Sequence, residues 1–157
     1  MSTNREYLAS RVTTASPAQL HLMLIDGAIR FAGEADKKFE ANDIDGASHP
    51  LRRAMDIASE LLASVRHSKS DLNTKLAALY EFIFTRLTMA HVNTDREKLA
   101  EAIRILHAQR ETWRQACEIA AGAQTAKPAG SEEPRGPHKP LSHLGADTTT
   151  GGLSIEA

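Results

Sequence analysis

The chain has 157 residues, of which 41% are hydrophobic and 25% are charged, as is typical of one globular domain with a hydrophobic core. Nineteen Lys and Arg residues against 20 Asp and Glu residues give a net charge of −1, which argues against nucleic-acid binding because that function needs a basic surface. The lone cysteine, Cys117, excludes an intrachain disulfide and is typical of a reducing compartment. No apolar run approaches the roughly 20 residues that cross a bilayer, and the N-terminus lacks a signal-peptide core, so we expect a cytoplasmic protein without membrane insertion.

The composition divides the chain into three parts. Residues 1–15 are expected to form a short, mobile N-terminal segment. Six of the nine glycines and four of the six prolines follow Ala121, in a stretch without aromatic residues. Such a stretch cannot bury enough apolar surface to offset its ordering entropy, so residues 121–157 are predicted to be a disordered tail. The folded domain is expected over residues 16–120.

The first predicted helix begins at a capping signal. Ser16 is a favourable N-cap, Pro17 fits the first helical position, and Gln19 is placed to complete a capping box. Its apolar periodicity continues to about residue 41.

A second helix is predicted from about residue 43 to 67. Pro50 falls inside it, which predicts a kink or a late, irregular start.

Two further helices follow after short connections. Residues 68–71 offer a turn and an N-cap for a helix over about 72–92, and residues 93–95 cap a last helix over about 96–120. Because the connections are short, consecutive helices should be antiparallel neighbours, and the sequence predicts an all-α, antiparallel four-helix bundle.

The third predicted helix carries two apolar seams. The main seam is expected to face the core and consists of Leu72, Leu76, Leu79, Tyr80, Ile83, Leu87 and Ala90. A second seam recurs at i, i+4, i+7 and i+11 and consists of Ala78, Phe82, Thr85 and Met89. The first predicted helix is similarly apolar over an arc of roughly 200° that includes Leu22, Ile25 and Ile29. These surplus faces indicate a groove for amphipathic helices of a partner, the alternative being that the first helix is central and Phe82 and Met89 cover its flank.

Catalytic signatures are missing from the sequence. There is no phosphate-binding glycine loop, no HExxH motif, and no Glu-x-x-His pair of the kind found in di-metal bundles. The helical histidines, His21 among them, lie at no ligand spacing and are expected to be surface or boundary residues, and Cys117 is expected to be buried and inert. The sequence therefore predicts neither enzyme activity, nor a cofactor, nor a metal site.

The run Val12-Thr13-Thr14-Ala15-Ser16-Pro17, followed by Met23-Leu24 and Asp26-Gly27-Ala28-Ile29-Arg30-Phe31, resembles the FliS family of flagellar export chaperones. Further matches are Leu79-Tyr80-Glu81-Phe82, Arg86-Leu87, Ala90, Asp95 and Trp113, so the resemblance spans about residues 5–120. It implies a chaperone that binds the helical C-terminal region of flagellin, prevents premature polymerisation, and assists delivery to the flagellar type III export gate.

Partner-binding residues follow from the resemblance and the seams together. They are Tyr7, Val12, Leu22, Ile25, Ile29, Ala78, Phe82, Thr85 and Met89. The family's N-terminal segment can cover the groove and carries two tyrosines that help docking on the export gate; Tyr7 matches the second, and Asn4 replaces the first. Ile25 and His91 also depart from the family pattern, where an aromatic residue and an asparagine are usual.

Three residues of the resemblance are also interpreted in structural terms. Asp26-Gly27 in mid-helix is read as permitting close helix approach, and Trp113 as a core residue. The alternative function is a helical adaptor or regulator for another flagellar client, such as an anti-sigma factor.

Overall fold

The computed structural model describes residues 2–125, which form five α-helices and no strand within that range. The helices are α1 (Ser2–Thr14), α2 (Pro17–Glu40), α3 (Ile44–Val65), α4 (Asp71–Asn93) and α5 (Arg96–Thr125). Helices α2 to α5 are the four predicted helices, so the all-α helical bundle is confirmed. The prediction of a disordered tail falls, from residue 126 onward, outside the described residues.

Helix α1 occupies most of the predicted N-terminal segment 1–15, for which the sequence predicted no helix; the mobility of that segment stays a prediction. Residues 2–14 contain neither glycine nor proline and include several good helix formers. The segment has no apolar periodicity, which is why pattern reasoning did not find it. Its described side chains are exposed, Tyr7 and Leu8 among them.

The predicted start of α2 is confirmed in detail. The Gln19 backbone N–H donates to Ser16 Oγ at 3.2 Å, and the Ser16 N–H donates to Gln19 Oε1 at 2.9 Å. Both bonds of a capping box are therefore present, with Pro17 at the first helical position.

Helix α3 begins at Ile44, close to its predicted start near residue 43 and well before Pro50. Asp43 caps it, accepting from the Gly46 N–H at 2.8 Å, and this bond, together with Lys38, lowers the pKa of the Asp43 carboxyl. The helix then continues without interruption through Pro50, which is buried. The predicted start near residue 43 is therefore confirmed, and of the two effects expected from Pro50 the late, irregular start is wrong, whereas the kink stays a prediction. A proline in the second turn removes one helical hydrogen bond, and here its ring is buried in the core.

Helices α4 and α5 are joined by a tight connection. Ser70 caps α4 by accepting from the Asn73 N–H at 3.1 Å. Thr94 adopts a left-handed conformation (φ 53°), and Asp95 Oδ1 then accepts from the N–H groups of Glu97 and Lys98. Helix α5 extends to Thr125, beyond its predicted end near residue 120.

Ion pairs set the antiparallel register of α2 and α5. Arg96 Nε lies 2.7 Å from Asp36 Oδ1, and its Nη2 lies 3.6 Å from Glu40 Oε2. Further along the same pair of helices, Arg110 Nε lies 2.6 Å from Asp26 Oδ1. Since the residue numbers rise on one helix as they fall on the other, α5 runs antiparallel beside α2.

The other helix neighbours are fixed by cross-helix contacts of α4. Ser48 Oγ of α3 lies 3.0 Å from His91 Nε2 of α4, and Arg86 Nε of α4 lies 2.9 Å from Glu101 Oε2 of α5. Helix α4 thus packs between α3 and α5, and α2 packs against the same two helices on the opposite side of the bundle.

Among the described residues, the core consists of eight alanines and nine larger side chains. Its fully or almost fully buried members are Ile25, Ala28, Ala32, Ala35, Ala47, Leu51, Ala54, Ala58, Leu61, Val65, Tyr80, Ile83, Leu87, Ala90, Leu99, Ala102 and Leu106. The main seam of α4 is confirmed at Tyr80, Ile83, Leu87 and Ala90, which are buried. The prediction that Leu72 faces the core is wrong, since 66% of this residue is exposed. The many alanines allow the helices to approach closely.

Candidate functional site

The second apolar seam of α4 faces away from the core. Phe82 is 39% exposed and Met89 is 38% exposed. Thr85, which lies between them in the seam, and Ala78, which precedes Phe82, are also exposed. Val92, three residues after Met89, extends the seam and is 71% exposed. The outer face of α4 therefore presents an apolar stripe that nothing in the described part of the chain covers.

A cleft between α4 and α5 meets this stripe at Phe82. Its volume is about 530 Å³, and its lining residues are Leu79, Phe82, Glu101, Arg104, Ile105, Ala108 and Gln109. Leu79 and Ile105 also pack against the core, so the floor of the cleft is continuous with the interior. We call the stripe and this cleft together the α4/α5 face.

Arg86 stiffens the centre of the α4/α5 face. Its guanidinium carbon lies 4.4 Å from the centroid of the Phe82 ring, and its Nη1 lies 3.6 Å from Met89 Sδ. The same side chain is paired with Glu101, which Lys98 Nζ also contacts at 3.2 Å. The Phe82 and Met89 side chains are therefore held in place by a cation that is itself anchored to α5.

Comparison with known proteins decides the family. A family model described as "Flagellar protein FliS" matches residues 1–120. The chain belongs to the FliS family. It is 30% identical over 112 residues to the flagellar secretion chaperone FliS of Bacillus subtilis (strain 168), over 71% of this chain and 84% of that protein. It is 32% identical over 108 residues to the flagellar secretion chaperone FliS of Salmonella typhimurium (strain LT2), over 68% of this chain and 80% of that protein. The Escherichia coli (strain K12) protein of the same name is 29% identical over 108 residues, 68% of this chain and 79% of its own length.

Several residues that carry the FliS resemblance have structural roles in the bundle. Asp26 pairs with Arg110 across α2 and α5. A Cβ added at Gly27 would lie 3.2 Å from Ile57 Cδ1, so the interpretation of this glycine as a point of close helix approach is confirmed. Asp95 caps α5. The FliS motif thus mainly specifies how the helices pack.

A buried polar cluster corrects the expectation for His21, which is 7% exposed rather than a surface or boundary residue. Its Nε2 lies 2.5 Å from Tyr80 Oη, and its Nδ1 lies 3.5 Å from Ser64 Oγ. Trp113 Nε1 donates to Tyr80 Oη at 3.2 Å, and the Trp113 and His21 rings lie 3.9 Å apart between centroids. Gln109 Oε1 is 3.4 Å from the same hydroxyl. Residues from four helices therefore meet at one end of the FliS bundle.

The remaining predicted partner-binding residues divide by burial. Ile25 has no exposed surface, so it is a core residue and we remove it from the binding surface. Ile29 is half-buried and packs against the core. Tyr7 is exposed on α1, and the Val12 side chain lies outside the described atoms.

Leu22 lies in a second cleft, of about 360 Å³, where α1, α2 and α5 come together. Cys117 lines the same cleft and is only half-buried, which corrects the prediction of a buried thiol.

Sequence reasoning assigned three apolar members of the α4/α5 face to neither seam, namely Val92, Ile105 and Ala108, and it did not identify the polar lining residues Glu101, Arg104 and Gln109. Val92 continues the spacing of the second seam, so the pattern on α4 could have revealed it. Ile105 and Ala108 are i, i+3 neighbours on the side of α5 that meets α4. No pattern within α5 could identify that side, because it depends on which helix packs there.

Within residues 2–125, no helix is long and apolar enough to cross a membrane. Over the same residues, no group of three His, Cys, Asp or Glu side chains could hold a metal ion.

Proposed function

We propose that this FliS-family protein is a cytoplasmic chaperone that binds the helical C-terminal region of flagellin on its α4/α5 face. The observation that carries the proposal is the exposed apolar seam of α4, with Phe82 and Met89 at its centre. An amphipathic client helix that lays its apolar stripe into this face would bury both stripes at once. The relatives described above are named flagellar secretion chaperones, which supports a flagellar client.

Such binding would both prevent polymerisation of the client and keep the client competent for export. A client helix whose apolar face is covered cannot use that face to polymerise. The same complex keeps the client from folding into its assembled form, so that the client stays competent for the flagellar type III export apparatus. The process requires binding and release, and no chemical step on the chaperone.

Helix α1 is the part of the protein that we propose for contact with the export gate. Tyr7 is exposed on it, next to the exposed Leu8. The Arg11 guanidinium carbon lies 5.9 Å from the Tyr7 ring centroid. An aromatic residue with an adjacent cation is a common element of protein interfaces.

The test is calorimetric titration of the purified full chain with a synthetic peptide of the C-terminal region of flagellin from the same organism. We expect one-to-one binding with a negative heat-capacity change, the signature of apolar burial. The Phe82→Asp and Met89→Asp variants should bind at least about tenfold more weakly, because each places a charge in the apolar contact.

The matched control is Ile44→Asp, which makes the same chemical change at an exposed position at the start of α3. It should bind the peptide like the parent protein. If the parent protein does not bind the peptide, the flagellin proposal is wrong and the adaptor for another flagellar client becomes the better hypothesis. If all three variants bind equally well, flagellin uses a different face.

A further inference from the structure

The charges around the α4/α5 face are unbalanced. The carboxylate there, Glu101, uses both oxygens within the protein: Oε2 lies 2.9 Å from Arg86 Nε, and Oε1 lies 3.2 Å from Lys98 Nζ. Arg104 lines the same cleft, one turn further along α5, and is exposed. These four groups carry three positive charges and one negative charge, so the cleft has a cationic surplus.

Among these three cations, Arg104 is the one that is not paired with a carboxylate of the described residues. It forms no ion pair with any residue in the described range 2–125. Three other arginines of α5 each do have such a partner, namely Arg96, Arg110 and Arg114. The unpaired guanidinium thus stands beside the part of α5 that lines the apolar cleft.

Resting on the proposed function, we infer that Arg104 is a specificity residue that pairs with a carboxylate of the client helix seated on the α4/α5 face. The client segment is therefore an amphipathic helix whose apolar stripe is flanked by an Asp or Glu side chain on the α5 side. The apolar floor of Leu79, Phe82, Ile105 and Ala108 takes the stripe. A guanidinium suits the carboxylate because its planar fork can donate two parallel hydrogen bonds.

Arg86 does not compete for this role. Its guanidinium is packed over the Phe82 ring and pairs with Glu101, and its side chain is only 24% exposed. Recruiting it to a client would break an existing ion pair and release Phe82. Arg104 neither packs on an aromatic ring nor pairs with a carboxylate within the described residues. A client carboxylate can therefore bind it without breaking a contact of the bundle.

The experiment measures binding of the same flagellin C-terminal peptide to the full-length Arg104→Glu and Arg104→Gln variants, at low salt and at about 0.5 M salt. The control is Arg30→Glu, which makes the same charge change on the outer side of α2, where Arg30 also has no ion pair within the described residues. At low salt we expect Arg104→Glu to weaken binding about five- to tenfold and Arg104→Gln to weaken it less. The loss should shrink at high salt, and Arg30→Glu should change the Kd by less than about twofold.

A charge swap completes the test. Replacing the acidic residues of the peptide one at a time with Lys should identify one peptide that binds Arg104→Glu more tightly than the parent protein. If the parent protein binds the peptide but Arg104→Glu binds it equally well, or Arg30→Glu weakens it as much, the inference is overturned and the proposed function stands. If the parent protein does not bind the peptide at all, both are overturned.

Discussion

The hydrogen bonds around His21 have one consistent direction. Ser64 Oγ donates to the Leu61 carbonyl at 2.7 Å, so it can accept from His21 Nδ1–H. Trp113 Nε1–H donates to Tyr80 Oη. The single hydrogen of the Tyr80 hydroxyl can go to His21 Nε2, at 2.5 Å, or to Gln109 Oε1, at 3.4 Å, and the shorter distance assigns it to His21. This arrangement needs a neutral imidazole protonated on Nδ1. It agrees with burial, which lowers the pKa of His21 to about 4 and raises the pKa of Tyr80 to about 12.

The cluster makes stability depend on pH in a defined window. The pKa of His21 is about 4 in the folded protein and near 6.5 when the side chain is free. Between these values the unfolded chain binds more protons, so the free energy of unfolding falls as the pH falls from about 6.5 towards 4, by at most about 1.4 kcal/mol per pH unit. Above pH 6.5 this contribution is fully present. Urea unfolding at pH 7 and pH 5, followed by fluorescence of Trp113, the only tryptophan, measures the difference.

Two variants assign the pH effect to its source. His21→Gln should show a smaller loss of stability between pH 7 and pH 5 than the parent protein. His107→Gln, at an exposed position of α5, should show the same loss as the parent protein. An unchanged pH dependence in His21→Gln would contradict the assignment.

At the scale of the helix, features that depend on residues close together in the sequence were predictable. The start of α2 depends on Ser16 and Gln19, which are three residues apart, and both capping bonds are present. The end of α5 and the existence of α1 have no comparable local signal. Pro50 suggested an irregular helix start that the structure does not have. The lost helical hydrogen bond is offset by burial of the proline ring against other helices, and such tertiary contacts cannot be read from a local sequence pattern.

Two glycines provide a matched test of these local effects. At Gly33, in the middle of α2, an added Cβ would meet nothing within 4 Å, whereas at Gly46 it would lie 2.1 Å from Oδ2 of the capping residue Asp43. Gly33→Ala should therefore raise the free energy of unfolding by about 0.5–1 kcal/mol. Gly46→Ala should lower it by about 1 kcal/mol, because Asp43 must leave its capping position. Urea unfolding at pH 7 measures both, and changes of the same sign would show that the cap tolerates the extra methyl group.

At the scale of the whole molecule, α4 contributes one side to the core and another side to the exposed α4/α5 face. Periodicity alone identified two seams, but it could not decide which one neighbouring helices cover. Leu72 has the spacing of the core seam and is nevertheless exposed, since it is the second residue of α4. His21 and Ile25 were misplaced for a related reason: their surroundings are built by helices distant in sequence. The wide apolar arc of α2 is explained by its packing against both α3 and α5.

Adjacent residues of α4 separate the two surfaces by experiment. Ile83 has no exposed surface, whereas its neighbour Phe82 lies on the α4/α5 face. Ile83→Asp buries an unpaired charge, which should cost at least about 3 kcal/mol and leave the bundle unfolded or close to it. Phe82→Asp replaces a half-exposed ring and should lower the free energy of unfolding by no more than about 1 kcal/mol, while abolishing most client binding. Thermal unfolding followed by circular dichroism compares the two variants. Equal destabilisation would mean that Phe82 is a core residue, and the proposed client surface would then have to lie elsewhere on the bundle.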